Sequence, residues 1–402
     1  MADVDVSGGA LHGLRVLDLS RVLAGPLCGQ MLGDHGADVV KVESPAGDDT
    51  RTWGPPFLPD GKSAYYTSIN RNKRNLCLDL REERGQAVLW RLLEQADVVV
   101  ENFKAGTMAR WGFDYGEVLA NRFPRLVYCR ITGYGVDGPL GGLPGYDAVL
   151  QAYAGLMSVN GEPDQEPLRI GVPVVDMVTG MLAFSGILLA LHERERSGKG
   201  QLVDCTLLDT AISLLHPHSA SWLASGALPV RTGSAHPTIA PYETFKLRTG
   251  TFFLSAANDR QFTSLVKVLG RPELASDPRF SSNTSRVVNV AVLREILGEL
   301  LWQWEAEPLA AELLACGVAA APVNDLAQSL SAPQVLHRQM LVSKGEYRGV
   351  GIPVKLGRTP GAVAAAPAQN GADTVSVLNE AGYDASEVQD LLDCGAAFAP
   401  RA

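Results

Sequence analysis

The chain lacks a run of about 20 uncharged apolar residues, the length that crosses a bilayer; its longest, Met177 to Leu191, stops at His192-Glu193-Arg194. No membrane span is predicted. A basic excess is missing too: 35 Lys and Arg against 44 Asp and Glu leave a formal charge of −9. That gives no stripe for nucleic acid, and any anionic ligand must be met by cations gathered locally. Cysteine is sparse, at 28, 77, 129, 205, 316 and 394, with neither C-x-x-C spacing nor an adjacent histidine pattern. No metal site is expected, and the thiols read as reduced and mostly buried in a cytoplasmic protein. The start, MADVDVSGGALHG, resembles neither a secretory signal nor an Arg-rich transit peptide. The turn after the first apolar strand, SRVLAGP, lacks the three-glycine dinucleotide fingerprint, so neither NAD nor FAD is suggested. Internal repeats and coiled-coil heptads are absent.

What is present suffices for a large folded enzyme. With 402 residues, 46% of them hydrophobic, the chain can bury a substantial core and form two domains. Leu14 to Leu19 reads as a strand, GPLCGQMLGDHG as a helix and ADVVKVES as a second strand. A helix at 84–96 leads into DVVVEN, and Leu126 to Thr132 supplies a further strand. The alternation predicts an α/β, doubly wound, mostly parallel Rossmann-like sheet, with its ligand crevice beyond the carboxyl ends of the strands. The loops there include Val22 to Ala24, Glu43 to Ser44, and Asn102 to Phe103. Past Leu223 the texture changes to a long turn-rich connection, GALPVRTGSAHPTIAPYETF, then a strand in GTFFLSAAND and helices at 261–269, 289–304 and 308–316. A smaller α+β domain is therefore placed at 226–329, between a first segment at 1–225 and a return segment at 330–402. On composition alone, the Ala/Gly/Pro-rich stretch at 360–372 reads as a flexible linker.

One carboxylate stands out. After the turn-rich NGEPDQEP, the apolar GVPVV runs into Asp176, and no charge follows before His192. The pattern predicts a long helix buried nearly all round, with Asp176 at its start. Such an Asp has two readings: an N-cap accepting the free amides of the first turn, or a catalytic carboxylate. The cations Arg71, Lys73 and Arg74 are likewise either a solvated turn or an anion site.

Several blocks, in order, carry a resemblance: RVLAGP at 21–26, GADVVKVESP at 36–45, NRNKRNLCLDL at 70–80, VENF at 100–103, GYD at 145–147, Asp176 with TGM at 179–181, and APVN at 321–324. Together they resemble the family III CoA-transferases. GDDTRTWGPPF at 47–57 and RITGYGVDGP at 130–139 look most like the branch moving CoA between dicarboxylates. The resemblance implies that Asp176 is the nucleophile, passing through an aspartyl–acyl anhydride and an aspartyl-CoA thioester. It marks Val22, Leu23, Ala24, Ser44, Lys73, Arg74, Leu78, Asn102, Phe103, Arg110 and Tyr146 as CoA contacts. Acyl-CoA and small carboxylic acids are the implied substrates, with no tightly bound cofactor, and the implied assembly is an interlocked homodimer with the return segment completing the large domain. The distal carboxylate of a diacid is best met by a guanidinium fork, with Arg51 first and Arg71 and Arg169 behind it. His236 either donates to a substrate carboxylate or is a turn histidine; its loop, GSAHP, departs from the family's glycine-rich lid. Asp147 reads as structural. Related racemases have His where this chain has Tyr146, which leaves that chemistry without its partner base, and a non-catalytic CoA-binding homologue would be expected to lack Asp176.

Overall fold

A computed structural model describes residues 8–400 of the 402. The chain divides into two compact units. The larger runs up to Ala154 and takes in Ile170–Leu215 and the chain from Gln334 onward; the smaller comprises Gly155–Arg169 and His216–Pro333. The break thus falls before 225, inside the expected first segment, and the loop preceding the long helix starts in the smaller unit.

In the larger unit six strands run in parallel: β1 Arg15–Asp18, β2 Asp38–Glu43, β3 Arg74–Leu78, β4 Val98–Glu101, β5 Val127–Thr132 and β6 Leu202–Thr206. Their order is β3-β2-β1-β4-β5-β6, and the short strand Ala397–Phe398 adds antiparallel to β3 at the edge. The central strands are buried on both faces because helices cover both, as β4, VVVE, shows by being buried throughout. Val16 of β1 sits between Val39 and Val98. The winding direction reverses there, so the crevice outside the carboxyl ends of β1 and β4 is the topological switch point where such sheets bind ligands.

Polar groups beneath that crevice are paired internally. Lys73 Nζ donates to Asp18 Oδ2 at 2.8 Å, Pro26 O at 2.7 Å and Asn70 Oδ1 at 2.9 Å. Lys41 Nζ donates to Asp48 Oδ2 at 3.0 Å and Ser20 O at 2.8 Å. Burial opposes ionisation of Asp18, but the ammonium groups of Lys73 and Lys41 outweigh it and hold its pKa below the usual carboxylate range. Asn72, in the left-handed conformation at φ 58°, staples the stretch 362–365 by accepting from Ala364 and Ala365 N–H and donating to Ala362 O. Asn75 accepts from Gly371 N–H at 2.6 Å. The Ala/Pro-rich segment without regular structure is therefore tied to the sheet edge rather than a loose linker, because short polar side chains satisfy its backbone.

The helix Val174–Ser197 differs from its sequence reading. It packs on the helix Ala24–Asp34 and on β6, burying Val175, Thr179, Ala183, Ile187 and Leu191. Met181, Leu182 and Leu189 are exposed, the last at 71%, so within one chain the helix is covered on one side only. Gly180 sets the packing distance: a Cβ there would lie 2.6 Å from Ala24 O. Of the cysteines, Cys28, Cys77 and Cys129 are buried, Cys205 is half-buried, and Cys316 and Cys394 are exposed.

In the smaller unit, β7 Tyr242–Leu247, β8 Gly250–Ser255 and β9 Ala319–Pro322 form an antiparallel sheet in that order. Helices Asp259–Val268, Val290–Leu301 and Ala306–Ala315 share its core of Phe252, Leu254, Phe262, Leu297 and Leu309. The residues YETF, expected to end a loop, start β7.

Candidate active site

A cavity of about 220 Å³ opens at the switch point of the larger unit, with Asp176 in its wall. The loop after β1 supplies Arg21, Val22, Leu23 and Ala24, the loop after β4 Asn102 to Ala105, and the loop after β5 Gly133 and Gly145 with Tyr146. Two close approaches define this wall. Asn102 clasps the backbone of Arg21, accepting from its N–H at 2.8 Å and donating to its carbonyl at 2.7 Å. A Cβ on Gly133 would meet Gly145 Cα at 2.7 Å, so bare backbone is required at that crossing. Val22 sits at φ 70°, an unfavourable conformation for a β-branched residue that costs of order 1–3 kcal/mol. Its N–H is directed to Asp48 Oδ1 at 3.3 Å. A second cavity of about 500 Å³ shares Arg21, Phe103 and Lys104 with the first and adds Ser44, Leu78, Arg81 and Trp111.

Asp176 is not the N-cap of its helix; it stands in the first turn, and the cap position is Pro173, which has no side chain to offer. The capping carboxylate is Asp147, from the helix Asp147–Tyr153. Its Oδ2 accepts from the N–H of Val175 at 2.8 Å and of Asp176 at 3.1 Å. Val174 N–H donates to Val172 O, and Met177 N–H to Pro173 O. The first-turn amides are therefore occupied, and none is left for an oxyanion beside Asp176. Burial, followed by the Asp147 charge, pushes the Asp176 carboxyl up to about 7. Of the two opposing effects at a buried helix start, desolvation wins because the helix end is already neutralised.

The structure brings Val22, Leu23, Ala24, Asn102, Phe103 and Tyr146 to the wall that holds Asp176, and places Ser44 and Leu78 in the adjoining cavity. Other expected site residues are committed elsewhere. Lys73 is buried in the bonds given above, and Arg74 forks onto Asp38 and reaches Glu380. Arg110 is exposed and bonded to Thr107 Oγ1. Arg51 forks onto Glu43 at 2.7 and 2.8 Å, donates to Tyr66 OH and stacks over that ring at 3.8 Å, so its donors do not wait for a substrate. Arg71 forks onto Asp34 at 2.8 and 2.7 Å. Arg169 is exposed in the smaller unit. His236, in the same unit, accepts from Thr238 N–H and packs on Tyr242, as a turn histidine does.

The cations that do face the crevice are Arg21 and Lys104, which flank residues picked out from the sequence. Arg21 makes a loose 3.5 Å pair with exposed Asp49, and Lys104 makes no ion pair among the described residues. Their signal was adjacency to Val22 and Phe103; nothing in residue type separates them from the buried cations. Tyr65 was also missed. Its phenol is pushed up to about 12 by burial and then by the carboxylates of Asp176, Asp147 and Asp48, and its ring meets Trp53 edge-on at 5.1 Å. Among the described residues no cluster of His, Cys, Asp and Glu could hold a metal ion.

Residues 11–374 match the model of CoA-transferase family III. The chain is 42% identical over 359 residues to a succinate–glutarate CoA-transferase of Agrobacterium fabrum, covering 88% of this chain and 90% of that one. It is 41% identical over 342 residues to a succinyl-CoA:mesaconate CoA-transferase of Haloarcula hispanica, covering 83% and 85%. The crystal structure of a CAIB/BAIF family protein from Brucella suis superposes with a TM-score of 0.84 at 42% identity, covering 93% of this chain and all of that one.

Proposed function

This chain belongs to CoA-transferase family III, and from that premise we propose that it moves CoA from succinyl-CoA to a small dicarboxylic acid such as glutarate, itaconate or a related C5 diacid. The observation that carries the mechanism is Asp176, a carboxyl with a raised pKa in the wall of the switch-point cavity. Its carboxylate attacks the donor acyl carbonyl and expels CoA thiolate, giving an aspartyl–acyl anhydride. The thiolate then attacks the aspartyl carbonyl and releases succinate, leaving aspartyl-CoA. The acceptor carboxylate displaces thiolate from this thioester, and the thiolate takes the acceptor acyl group and restores Asp176. Covalent catalysis thus divides one exchange into acyl transfers of similar energy, and the cavity has to hold water off each intermediate.

Oxyanions formed in these steps meet the other helix end at the site. The first turn of Ala24–Asp34 has no side-chain cap, and Leu23 and Ala24 line the cavity. Arg21 and Lys104, between the two cavities, are the cations placed for CoA phosphates, while Ser44, Leu78, Phe103 and Trp111 offer an apolar recess for the rest of the coenzyme. The exposed Met181, Leu182 and Leu189 fit a helix covered in a homodimer.

The deciding experiment is a panel with succinyl-CoA as donor and glutarate, itaconate, mesaconate, citramalate and oxalate as acceptors, with deuterium uptake at the α-carbon of a 2-methylacyl-CoA as control. CoA transfer to C5 diacids without α-exchange is expected; α-exchange without transfer would replace this reading with proton-transfer chemistry. The pH profile is a second check. Only the carboxylate form of Asp176 attacks, so its raised pKa means activity is lost as pH falls. kcat/KM is expected to drop with one-proton slope below pH about 7; a profile flat to pH 5 would contradict it.

A further inference from the structure

The reaction as written does not use Asp147, yet this residue is bound directly to the backbone of Asp176. It is buried, and its carboxylate is fixed from two sides. Oδ2 holds the Val175 and Asp176 amides, while Oδ1 accepts from Gln151 Nε2 at 2.6 Å. Gln151, one turn further along the same helix, accepts in turn from Ile170 N–H at 2.8 Å through Oε1. Resting on the reading of Asp176 as the carrier, we infer that Asp147 is a positioning residue of the transfer reaction: it takes both amide protons that the helix start would offer Asp176 and sets a fixed negative charge beside the nucleophile.

Two consequences follow from this geometry. A bare helix start favours the anion and makes a carboxylate weakly basic. With its amide dipoles turned to Asp147 and a like charge alongside, Asp176 becomes a more basic and more reactive nucleophile. The chain Asp147–Gln151–Ile170 also anchors the start of the long helix to the loop before it, fixing the direction in which Asp176 meets the cavity.

Other charges around Asp176 do not substitute for this one. Tyr65 stays a neutral phenol, with its pKa pushed up to about 12. Arg21, Asp49, Lys104 and Tyr146 lie around the open cavity. Of the elements packed on the long helix, Ala24–Asp34 has no acidic residue in its first turn, β6 brings Asp204 already paired with Arg130 at 2.9 Å, and Leu207–Ser213 brings Asp209. Only burial and Asp147 shift Asp176 appreciably.

The test is a direct titration of Asp176 by carbon-13 NMR of carboxyl-labelled aspartate, assigned by difference with D176N, in wild type, D147N and D147E, together with kcat against pH. D147N is near-isosteric and loses the charge. Its Asp176 midpoint is expected to fall by about one pH unit or more, the size of a close like-charge effect. The acid limb of kcat should move down equally, while KM for succinyl-CoA stays within about twofold, since Asp147 is not among the residues that line the cavity and acts through Asp176. D147E keeps the charge and should keep the raised midpoint. A wild-type midpoint in D147N, or a D147E midpoint that falls as far as that of D147N, would reduce Asp147 to a helix cap. The titration does not depend on the carrier reading: if wild-type Asp176 traps no acyl group but the D147N shift is present, the carrier reading fails and the coupling stands.

Discussion

Asp176→Asn is expected to lower CoA transfer by about 10²-fold or more, the loss typical when a group essential to the transition state is removed, with acyl-CoA affinity little changed. The amide fills the same space but has no anionic oxygen to attack a thioester. In wild type, hydroxylamine added during turnover should leave a hydroxamate on Asp176 alone, and borohydride should reduce its thioester. Labelling mapped to another residue would show a different nucleophile. The same variant carries a stability signature. Because the folded-state pKa of Asp176 is raised from 3.8 to about 7, the native state favours the protonated form, and stability is lost as pH rises toward 7. D176N is therefore expected to melt higher than wild type at pH 8, with the gain vanishing near pH 4. Equal melting temperatures at pH 8 would mean that the carboxylate is better solvated than its burial implies.

Lys73→Met should cost about 3–5 kcal/mol of stability, the usual penalty for stripping one partner from a buried ion pair. Asp18, fully buried, would lose its closest countercharge, and Pro26 O and Asn70 Oδ1 would lose their donor. Urea denaturation measures the loss, and KM for succinyl-CoA in the folded protein should stay within about twofold of wild type. A K73M protein of wild-type stability with a much higher KM would return Lys73 to the coenzyme. Together with Asp176→Asn, this variant separates chemistry from scaffold: the first keeps the fold and loses the reaction, the second weakens the fold and spares the site.

Four of the six parallel strands were legible in the sequence because strands buried on both faces read as apolar runs between helices, whereas β3 and β6, which mix Arg, Asn or Asp into short segments, were not. Leu14 to Leu19, ADVVKVES and DVVVEN each fell on a strand of the sheet. The crevice followed from the same pattern, since the loops after β1 and β4 flank the switch point. Asp176 was legible as one carboxylate heading a long apolar stretch. The cations were not. Arg51, Arg71, Lys73 and Arg74 carry the charge and spacing of an anion site, yet each has a carboxylate of its own, three of them on residues 34 to 43 and one on Asp18. Whether a guanidinium faces a ligand or an aspartate depends on which side of a strand or turn it leaves, and charge does not encode that.

The sequence by itself determined the alternation of strand and helix, the turns that face the crevice and the carboxylate that enters it, because hydrophobic periodicity acts over a few residues. Tertiary structure alone decided what that carboxylate is. Asp147 lies 29 residues before Asp176 and Gln151 lies 19 before Ile170, and only the packing of their helices brings them to one helix start. There Asp147 takes the first-turn amides and adds its own charge, while burial removes water. The pKa of Asp176 is the outcome of these long-range terms, and no local stretch of the chain contains it.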